Sequence, residues 1–290
     1  MLRIELFGGF RAYDGSTPIE RFAAPKVEAL FGYLLLNRGR LWSRESLMDL
    51  FWGDVPKAEP RSCLNSSLTR LRNALAGFHQ RECIIARGGY VGLDEHRAPW
   101  LDVAEFELAM KEGMTPLVAA ADKVRALKRA DDLYRGPLLE GVYETWSISE
   151  RERLERVHLG ILEQLMRSVR SEGRHLEAIA YGARILEVDP LREDVHRDVM
   201  RLQNDLGQRA EAGKQYMRLR HQLHRDLGIE PMPETSALWR EISGSVDDPR
   251  VPAGAIQAQL ESTLRELDEI QQRLRGTLEH LKTINQGPRI

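Results

Sequence analysis

The sequence predicts a mainly α-helical protein that begins with a small domain of strands and helices. Three observations lead to this prediction. A polar face without acidic side chains runs along a predicted helix at residues 61–75, a six-residue motif returns after 34 residues, and leucines repeat with heptad spacing near the C-terminus. Together they indicate an N-terminal domain, a helical repeat domain and a terminal helix.

Short strands are predicted for the first 20 residues. Residues 2–7 alternate apolar and polar side chains, which is the two-residue period of a half-buried strand. Gly8-Gly9 and Asp14-Gly15 are turn signals, and residues 10–13 and 18–20 can each add a short strand. The segment is therefore expected to form a small antiparallel meander.

Two helices are predicted between the meander and residue 52. Pro25 suits the first turn of a helix, and apolar side chains at helical spacing continue until residues 37–39 end it. Ser43 is a good N-cap for a second helix, which we expect to end at Trp52. A loop over residues 55–60 then leads to the next helix.

The third helix is predicted for residues 61–75. Its four leucines recur at i, i+4, i+7 and i+11, the spacing of one helical face. The opposite face has no acidic residue and offers side chains of the kind that contact phosphates and base edges in a DNA major groove. These side chains are Arg61, Asn65, Ser66, Thr69, Arg70, Arg72 and Asn73. Taken alone, the pattern is more typical of an ordinary amphipathic surface helix.

A hairpin is predicted after the third helix. Residues 83–93 contain two β-prone runs that flank Arg87-Gly88-Gly89, the local signature of a tight turn. The order of meander, three helices and hairpin is that of a winged helix-turn-helix, in which the third helix enters the major groove and the wing reaches the backbone or minor groove. At the wing tip, a DNA contact by Arg87 and a solvated turn charge are equally good explanations. We assign residues 1–96 to this DNA-binding domain.

The charge distribution agrees with a DNA-binding third helix. The whole chain has a formal net charge of −2, which by itself does not point to nucleic acid. Residues 56–90 instead hold six basic and two acidic side chains, a local net charge of +4. The positive charge is therefore concentrated around the third helix and the wing.

Helices without strands are predicted for residues 97–244. Asp102 is a plausible N-cap for the first of them, and two more are expected over residues 119–134 and 150–170. Residues 173–178 then align with residues 207–212, and this offset of 34 residues is the length of a tetratricopeptide repeat. Because such helix pairs bury their apolar faces by stacking, a helical array with a concave face is predicted.

The C-terminal residues divide into a linker and a predicted helix. Residues 245–254 are polar and contain Pro and Gly, as linkers do, whereas residues 255–285 carry the heptad seam of a coiled coil. The predicted pairing positions are Leu260, Leu264, Leu267, Gln271, Leu274, Leu278 and Leu281. An isolated helix would expose this stripe, so we expect it to pair with a second copy of the chain. The alternative is that it folds back onto the repeat domain.

No enzyme chemistry is recognisable in the sequence. It has no Walker-type phosphate loop, no Cys/His set with metal-ligand spacing and no Gly-x-Ser-x-Gly elbow. We therefore expect neither catalysis nor a cofactor or metal. Two cysteines imply no disulfide framework, and the chain lacks both an apolar run of membrane-spanning length and a signal-peptide core. These features favour a cytoplasmic protein without a membrane partner.

The N-terminal motifs resemble an OmpR-type winged helix, and more narrowly the version found in SARP-type transcriptional activators. The segments that carry this resemblance are Leu34-Leu35-Leu36-Asn37-Arg38-Gly39-Arg40, Ser43-Arg44-Glu45-Ser46-Leu47, Leu50-Phe51-Trp52-Gly53-Asp54, Leu68-Thr69-Arg70-Leu71-Arg72-Asn73-Ala74-Leu75 and Gly88-Gly89-Tyr90. In that family the loop between the second and third helices is implicated in touching RNA polymerase. By resemblance, this role falls to Val55, Pro56, Lys57, Ala58 and Glu59.

Residues 97–244 resemble the bacterial transcriptional activator domain, a tetratricopeptide-like module that follows the winged helix in the same family. The segments that carry this second resemblance are Tyr134-Arg135-Gly136-Pro137-Leu138-Leu139, Trp146, Arg151 with Leu154, Asp189-Pro190-Leu191-Arg192, Tyr216 and Leu227-Gly228-Ile229-Glu230-Pro231. The two resemblances imply a sequence-specific activator that binds double-stranded promoter DNA and recruits RNA polymerase. The C-terminal helix is not part of the family pattern, and its expected pairing with a second copy predicts a homodimer that binds two repeats in the promoter.

Two other functions stay open on the sequence alone. The repeat domain could be a scaffold for another protein or a small ligand, with the winged helix serving as a protein-contact module. Alternatively, the chain could bind DNA and repress transcription. The local charge of +4 argues weakly against the scaffold.

Overall fold

The computed structural model describes residues 2–19, 22, 24–54, 59–78, 83–116 and 119–244. Contacts divide the chain into two units, one ending at Leu202 and the other beginning at Gln203. The described elements confirm the predicted fold class, with short N-terminal sheets and helices that predominate after them. The predicted linker and coiled-coil helix lie outside the described residues.

The strands in chain order are β1 (Leu2–Glu5), β2 (Arg11–Asp14), β3 (Thr17–Pro18), β4 (Leu41–Ser43), β5 (Ile84–Arg87), β6 (Tyr90–Leu93) and β7 (Trp100–Leu101). The helices are α1 (Pro25–Leu36), α2 (Arg44–Trp52), α3 (Pro60–Leu75), α4 (Asp102–Met114), α5 (Ala120–Leu133), α6 (Thr145–Ser171), α7 (His175–Val188), α8 (Glu193–Asp205), α9 (Arg209–Leu227) and α10 (Pro233–Ser243). Short 3₁₀ turns cover Ala76–Phe78 and Glu95–Arg97.

The N-terminal meander forms as predicted and gains a strand from far along the chain. β1, β2 and β3 pair antiparallel in sequence order, and β7 adds to the free side of β1 in parallel, with Arg3 opposite Trp100. The sequence pattern missed β7 because two residues are too few to show a period.

The helix-turn-helix follows the predicted start and stop signals. Pro25 occupies the first turn of α1, and the backbone amide of Ser46 donates to the Ser43 hydroxyl over 3.0 Å at the start of α2. The structure adds β4 between these helices. Its residues pair with β6, so the wing is a three-stranded sheet in the order β4-β6-β5.

Asp102 has a different place from the one predicted. The N-cap of α4 is Leu101, and Asp102 is the first helical residue, with a buried side chain. Its carboxylate accepts backbone N–H groups from Leu6 at 2.9 Å, Phe7 at 2.9 Å and Val103 at 2.7 Å. Two of these donors belong to the chain just after β1, so Asp102 ties the N-terminal sheet to α4 rather than capping the helix.

The segment between α5 and α6 also runs against the end of β1. The Leu139 amide donates to the Leu6 carbonyl over 2.7 Å, and the Gly8 amide donates to the Pro137 carbonyl over 2.9 Å. Arg151 fixes the segment from the other side, because its guanidinium donates to three backbone carbonyls of the segment. α6 starts at Thr145, before the predicted residue 150.

One hydrophobic core continues from the winged helix into the helices that follow. Buried residues of β1, α1, α3, α4 and α6 belong to the same cluster. At its edge the Lys26 ammonium donates to Glu144 over 2.6 Å, and the Trp146 ring meets the Tyr33 ring edge-on at 5.1 Å. The winged helix is therefore packed against α6 rather than tethered by a linker.

The repeat predicted from the 34-residue offset has the same backbone turn in both copies. Gly173 and Gly207 adopt left-handed φ angles of 75° and 73°, which a residue with a side chain rarely adopts. Each follows a helix and precedes the next one, α6 to α7 and α8 to α9. In the second unit α9 packs on α10, where the Tyr216 and Trp239 rings stack at 5.7 Å.

Candidate nucleic-acid interface

α3 separates a buried face from an exposed polar face. Its four leucines are at most 2% exposed, and Ser67 is buried beside them. The other face carries arginine, asparagine, serine and threonine side chains that reach solvent. Pro60 lies in the first turn of the helix, after Glu59 as N-cap. The apolar seam therefore fixes which side of α3 can meet a ligand.

Most of the predicted contact residues come together on this face. One open depression in the surface is lined by Glu59, Arg61, Ser62, Asn65, Ser66, Thr69 and Arg70. Five of these were predicted as DNA contacts. Glu59, predicted as part of a polymerase-contact loop, lies in the same depression as the arginines. Arg72 is half-buried and Asn73 is exposed, and neither lines the depression.

Arg44 is a residue of this surface that the sequence prediction missed. It is the first residue of α2, and its guanidinium donates a hydrogen bond to the side-chain oxygen of Asn65 on α3. Its backbone amide donates to the Gly89 carbonyl over 3.0 Å. Arg44 thus contacts both the third helix and the wing. Its position directly after the Ser43 N-cap was the available signal, since it places the residue at a helix N-terminus.

The wing turn has the predicted tight geometry. Gly88 and Gly89 both have positive φ angles, 61° and 82°, as a two-residue hairpin turn with the twist of its strands requires. Arg87 and Tyr90 pair across the turn, and both side chains are exposed. Tyr90 also pairs with Ser43 of β4, next to the N-terminus of α2. The turn is therefore held close to the start of α2.

The surface has the chemical groups that nucleic-acid recognition uses. Two guanidinium groups and one carboxylate line the depression together with two hydroxyls of serine, one of threonine and one amide. Arginine remains charged at every physiological pH and donates five N–H groups in a planar fork. These groups can hydrogen-bond phosphate oxygens and the acceptor atoms of base edges.

The remaining predicted site residues belong to the loop before α3 and to the C-terminal helix. Val55, Pro56, Lys57 and Ala58 lie outside the described residues, as do all seven heptad positions from Leu260 to Leu281. Within the described ranges, no group of three or more His, Cys, Asp or Glu side chains could hold a metal ion. No helix in the described part of the chain is long and apolar enough to cross a membrane.

Comparisons with known proteins agree with this arrangement. Residues 101–243 match the family model described as the bacterial transcriptional activator domain. The chain is 29% identical over 255 residues to the regulatory protein AfsR of Streptomyces griseus. This alignment covers 87% of the present chain and 26% of AfsR. The chain is also 28% identical over 273 residues to the regulatory protein DnrI of Streptomyces peucetius, covering 88% of this chain and 98% of that protein. The chain thus spans about a quarter of AfsR and nearly all of DnrI.

A solved structure shares the fold. Mycobacterium tuberculosis EmbR, determined in complex with a low-affinity phosphopeptide, superposes with a TM-score of 0.69 at 23% identity. The match covers 91% of this chain and 71% of the EmbR chain. At this identity the similarity concerns the architecture alone.

Proposed function

Because this chain belongs to the SARP-type family of bacterial transcriptional regulators, we propose that it binds promoter DNA sequence-specifically and activates transcription. The relatives are named as regulatory proteins, and the matched family is described as a transcriptional activator domain. α3 enters the major groove and the wing turn contacts the adjacent backbone or minor groove.

One observation supports this proposal above the others. The exposed face of α3 gathers Arg61, Asn65, Ser66, Thr69 and Arg70 around a single depression, while the opposite face is locked into the core. An ordinary amphipathic helix can also carry a polar face, but here Arg44 connects that face to the wing turn, as the winged helix-turn-helix arrangement requires. Arg72, Asn73 and Arg87 extend the surface along the helix and at the wing tip.

The proposed contacts divide into two kinds. We assign base-edge contacts to Asn65, Ser66 and Arg70, which lie in the middle of α3. We assign phosphate contacts, which position the protein without reading sequence, to Arg61 at the start of the helix and Arg87 at the wing tip. Direct base contacts are worth about 1–3 kcal/mol each in discrimination.

A DNA-binding titration tests the proposal. Fluorescence anisotropy with promoter duplexes selected by the wild-type chain should show weaker binding for Arg70→Ala, by roughly 5- to 150-fold if the contact is to a base edge. The matched control is Arg125→Ala, which removes a 78% exposed arginine on α5 that pairs with Asp122. Affinity should also fall steeply as salt rises, because phosphate contacts release counterions. Equal affinity of Arg70→Ala and wild type, without salt dependence, would exclude α3 as the DNA-binding helix.

Dimerisation is a separate part of the proposal. The heptad seam of residues 255–285 pairs two copies, which then bind two half-sites about one helical turn apart. Charged residues in the seam should prevent this, so Leu267→Glu combined with Leu274→Glu is expected to halve the mass in sedimentation velocity. The Arg125→Ala chain serves again as the control. A wild-type chain that sediments as a monomer would favour the alternative, in which the helix folds back onto the repeat domain.

Recruitment of RNA polymerase completes the proposal. The loop before α3, Val55 to Glu59, would contact polymerase while α3 holds the promoter. Replacing Val55 and Ala58 together by Asn, which changes no charge, should then reduce transcription from a target promoter in vitro and leave DNA affinity within a factor of about two. Loss of DNA binding in this variant would assign the loop to DNA instead, and unchanged transcription would exclude it as the polymerase contact.

A further inference from the structure

The contact between Arg44 and Asn65 joins two elements of the proposed DNA surface. Arg44 begins α2 and Asn65 lies in the second turn of α3, 21 residues later. The guanidinium donates to the side-chain oxygen of Asn65. Among the described residues, the Arg44 side chain makes this one hydrogen bond.

An asparagine amide has two hydrogen-bonding ends, and this contact engages one of them. The oxygen accepts and the NH₂ group donates two hydrogen bonds. Bidentate recognition of adenine uses both ends, because the oxygen accepts from adenine N6 while the NH₂ group donates to N7. The guanidinium occupies one of the two lone pairs of the oxygen and leaves both N–H groups of the amide available to a base.

We propose that Arg44 is a specificity-determining residue that turns Asn65 into a donor, so that Asn65 selects guanine rather than adenine. Guanine presents two neighbouring acceptors, N7 and O6, in the major groove, and these match the two N–H groups of the amide. The inference deepens the proposed function and rests on α3 being the helix that enters the major groove.

The position of Arg44 supports a positioning role rather than independent base contact. Its backbone amide is held by the Gly89 carbonyl of the wing turn at 3.0 Å, and the Ser43 N-cap precedes it. Its backbone is thus fixed by two elements before DNA arrives. A guanidinium that starts from a fixed backbone loses less conformational freedom when it holds the Asn65 amide, which makes one amide orientation dominant.

Selection from randomised DNA duplexes tests the proposal with the full-length chain. Four proteins are compared: wild type, Asn65→Ala, Arg44→Met and the double variant. Asn65→Ala identifies the base pair that Asn65 reads, because preference is lost there. Wild type should select guanine at that position, and Arg44→Met should lose this preference by roughly 5- to 150-fold or exchange it for adenine. The double variant should behave as Asn65→Ala at the same position.

Further variants separate specificity from folding and from phosphate binding. Arg44→Lys keeps one charged donor and should retain part of the guanine preference, whereas Arg125→Met on α5 should retain all of it. Thermal unfolding of Arg44→Met within a few degrees of wild type shows that the chain is folded. The inference is overturned if wild type selects adenine at the base pair that Asn65 reads. It is also overturned if Arg44→Met binds all sites more weakly with unaltered base preference. Either outcome leaves the proposed function intact. A wild-type chain that selects no sequence overturns both.

Discussion

Asp102→Ala should destabilise the unit that contains the winged helix, because it removes the acceptor of three backbone amides. The amides are those of Leu6, Phe7 and Val103, each within 3.0 Å of the carboxylate. An unsatisfied buried donor costs about 1–3 kcal/mol. Since the substitution also removes a carboxylate that is costly to bury when charged, we expect a net loss of about 3 kcal/mol at neutral pH.

The size of this loss should depend on pH. Burial raises the pKa of Asp102 to about 6, against the lowering effect of the three backbone donors and with a further increase from the nearby Glu5 carboxylate. In the unfolded chain the pKa of an aspartate is about 3.9. The folded state therefore binds the proton more tightly than the unfolded state. The stability gained from protonation grows as pH falls from about 6 towards about 4, and it is lost as pH rises through about 6. As pH falls from about 7 to about 4.5, the free energy of unfolding of wild type should rise by about 2 kcal/mol relative to that of Asp102→Ala.

Urea unfolding followed by tryptophan fluorescence measures this difference. Four of the five tryptophans lie in the same unit as Asp102, so the signal reports mainly on that unit. Asp102→Asn is the matched control, since it keeps the shape and one acceptor oxygen but does not titrate. It should show a smaller loss at neutral pH and the same pH dependence relative to wild type. A difference between wild type and Asp102→Ala that stays constant or shrinks as pH falls would refute the reasoning.

Other substitutions test the packing of the helices. Gly113→Ala should lower the free energy of unfolding by about 1–2 kcal/mol, because its Cβ would lie 2.5 Å from a Leu127 methyl carbon in the buried contact between α4 and α5. Gly160→Ala on α6 meets no atom within 4 Å and should instead stabilise by up to about 1 kcal/mol through helix propensity, so equal effects of the two would contradict the packing argument. Arg151→Met should cost about 3 kcal/mol in urea unfolding, because three backbone carbonyls lose a charged donor. A loss below about 1 kcal/mol would mean that water replaces the guanidinium.

The sequence alone predicted the elements whose signals are local. The leucine seam of α3, the Ser43 cap and the turn at Gly88-Gly89 each depend on residues within a few positions of one another. Hydrogen bonding inside a helix or a tight turn is satisfied by near neighbours, so the pattern is contained in the stretch itself. The same holds for the repeated turn at Gly173 and Gly207, which the 34-residue offset predicted. Most of the polar face of α3 could therefore be assigned before the structure.

The tertiary structure decided what depends on partners far along the chain. Asp102 is of a residue type that N-caps prefer, yet its carboxylate accepts hydrogen bonds from amides 95 and 96 residues away. β7 exists because β1 offers it a free edge, and Arg44 joins the proposed DNA surface because folding brings α2 beside Asn65 on α3. Each of these contacts is formed by a short or polar stretch that has several possible partners. Only the packing of the core selects one of them, and no local period in the sequence records that choice.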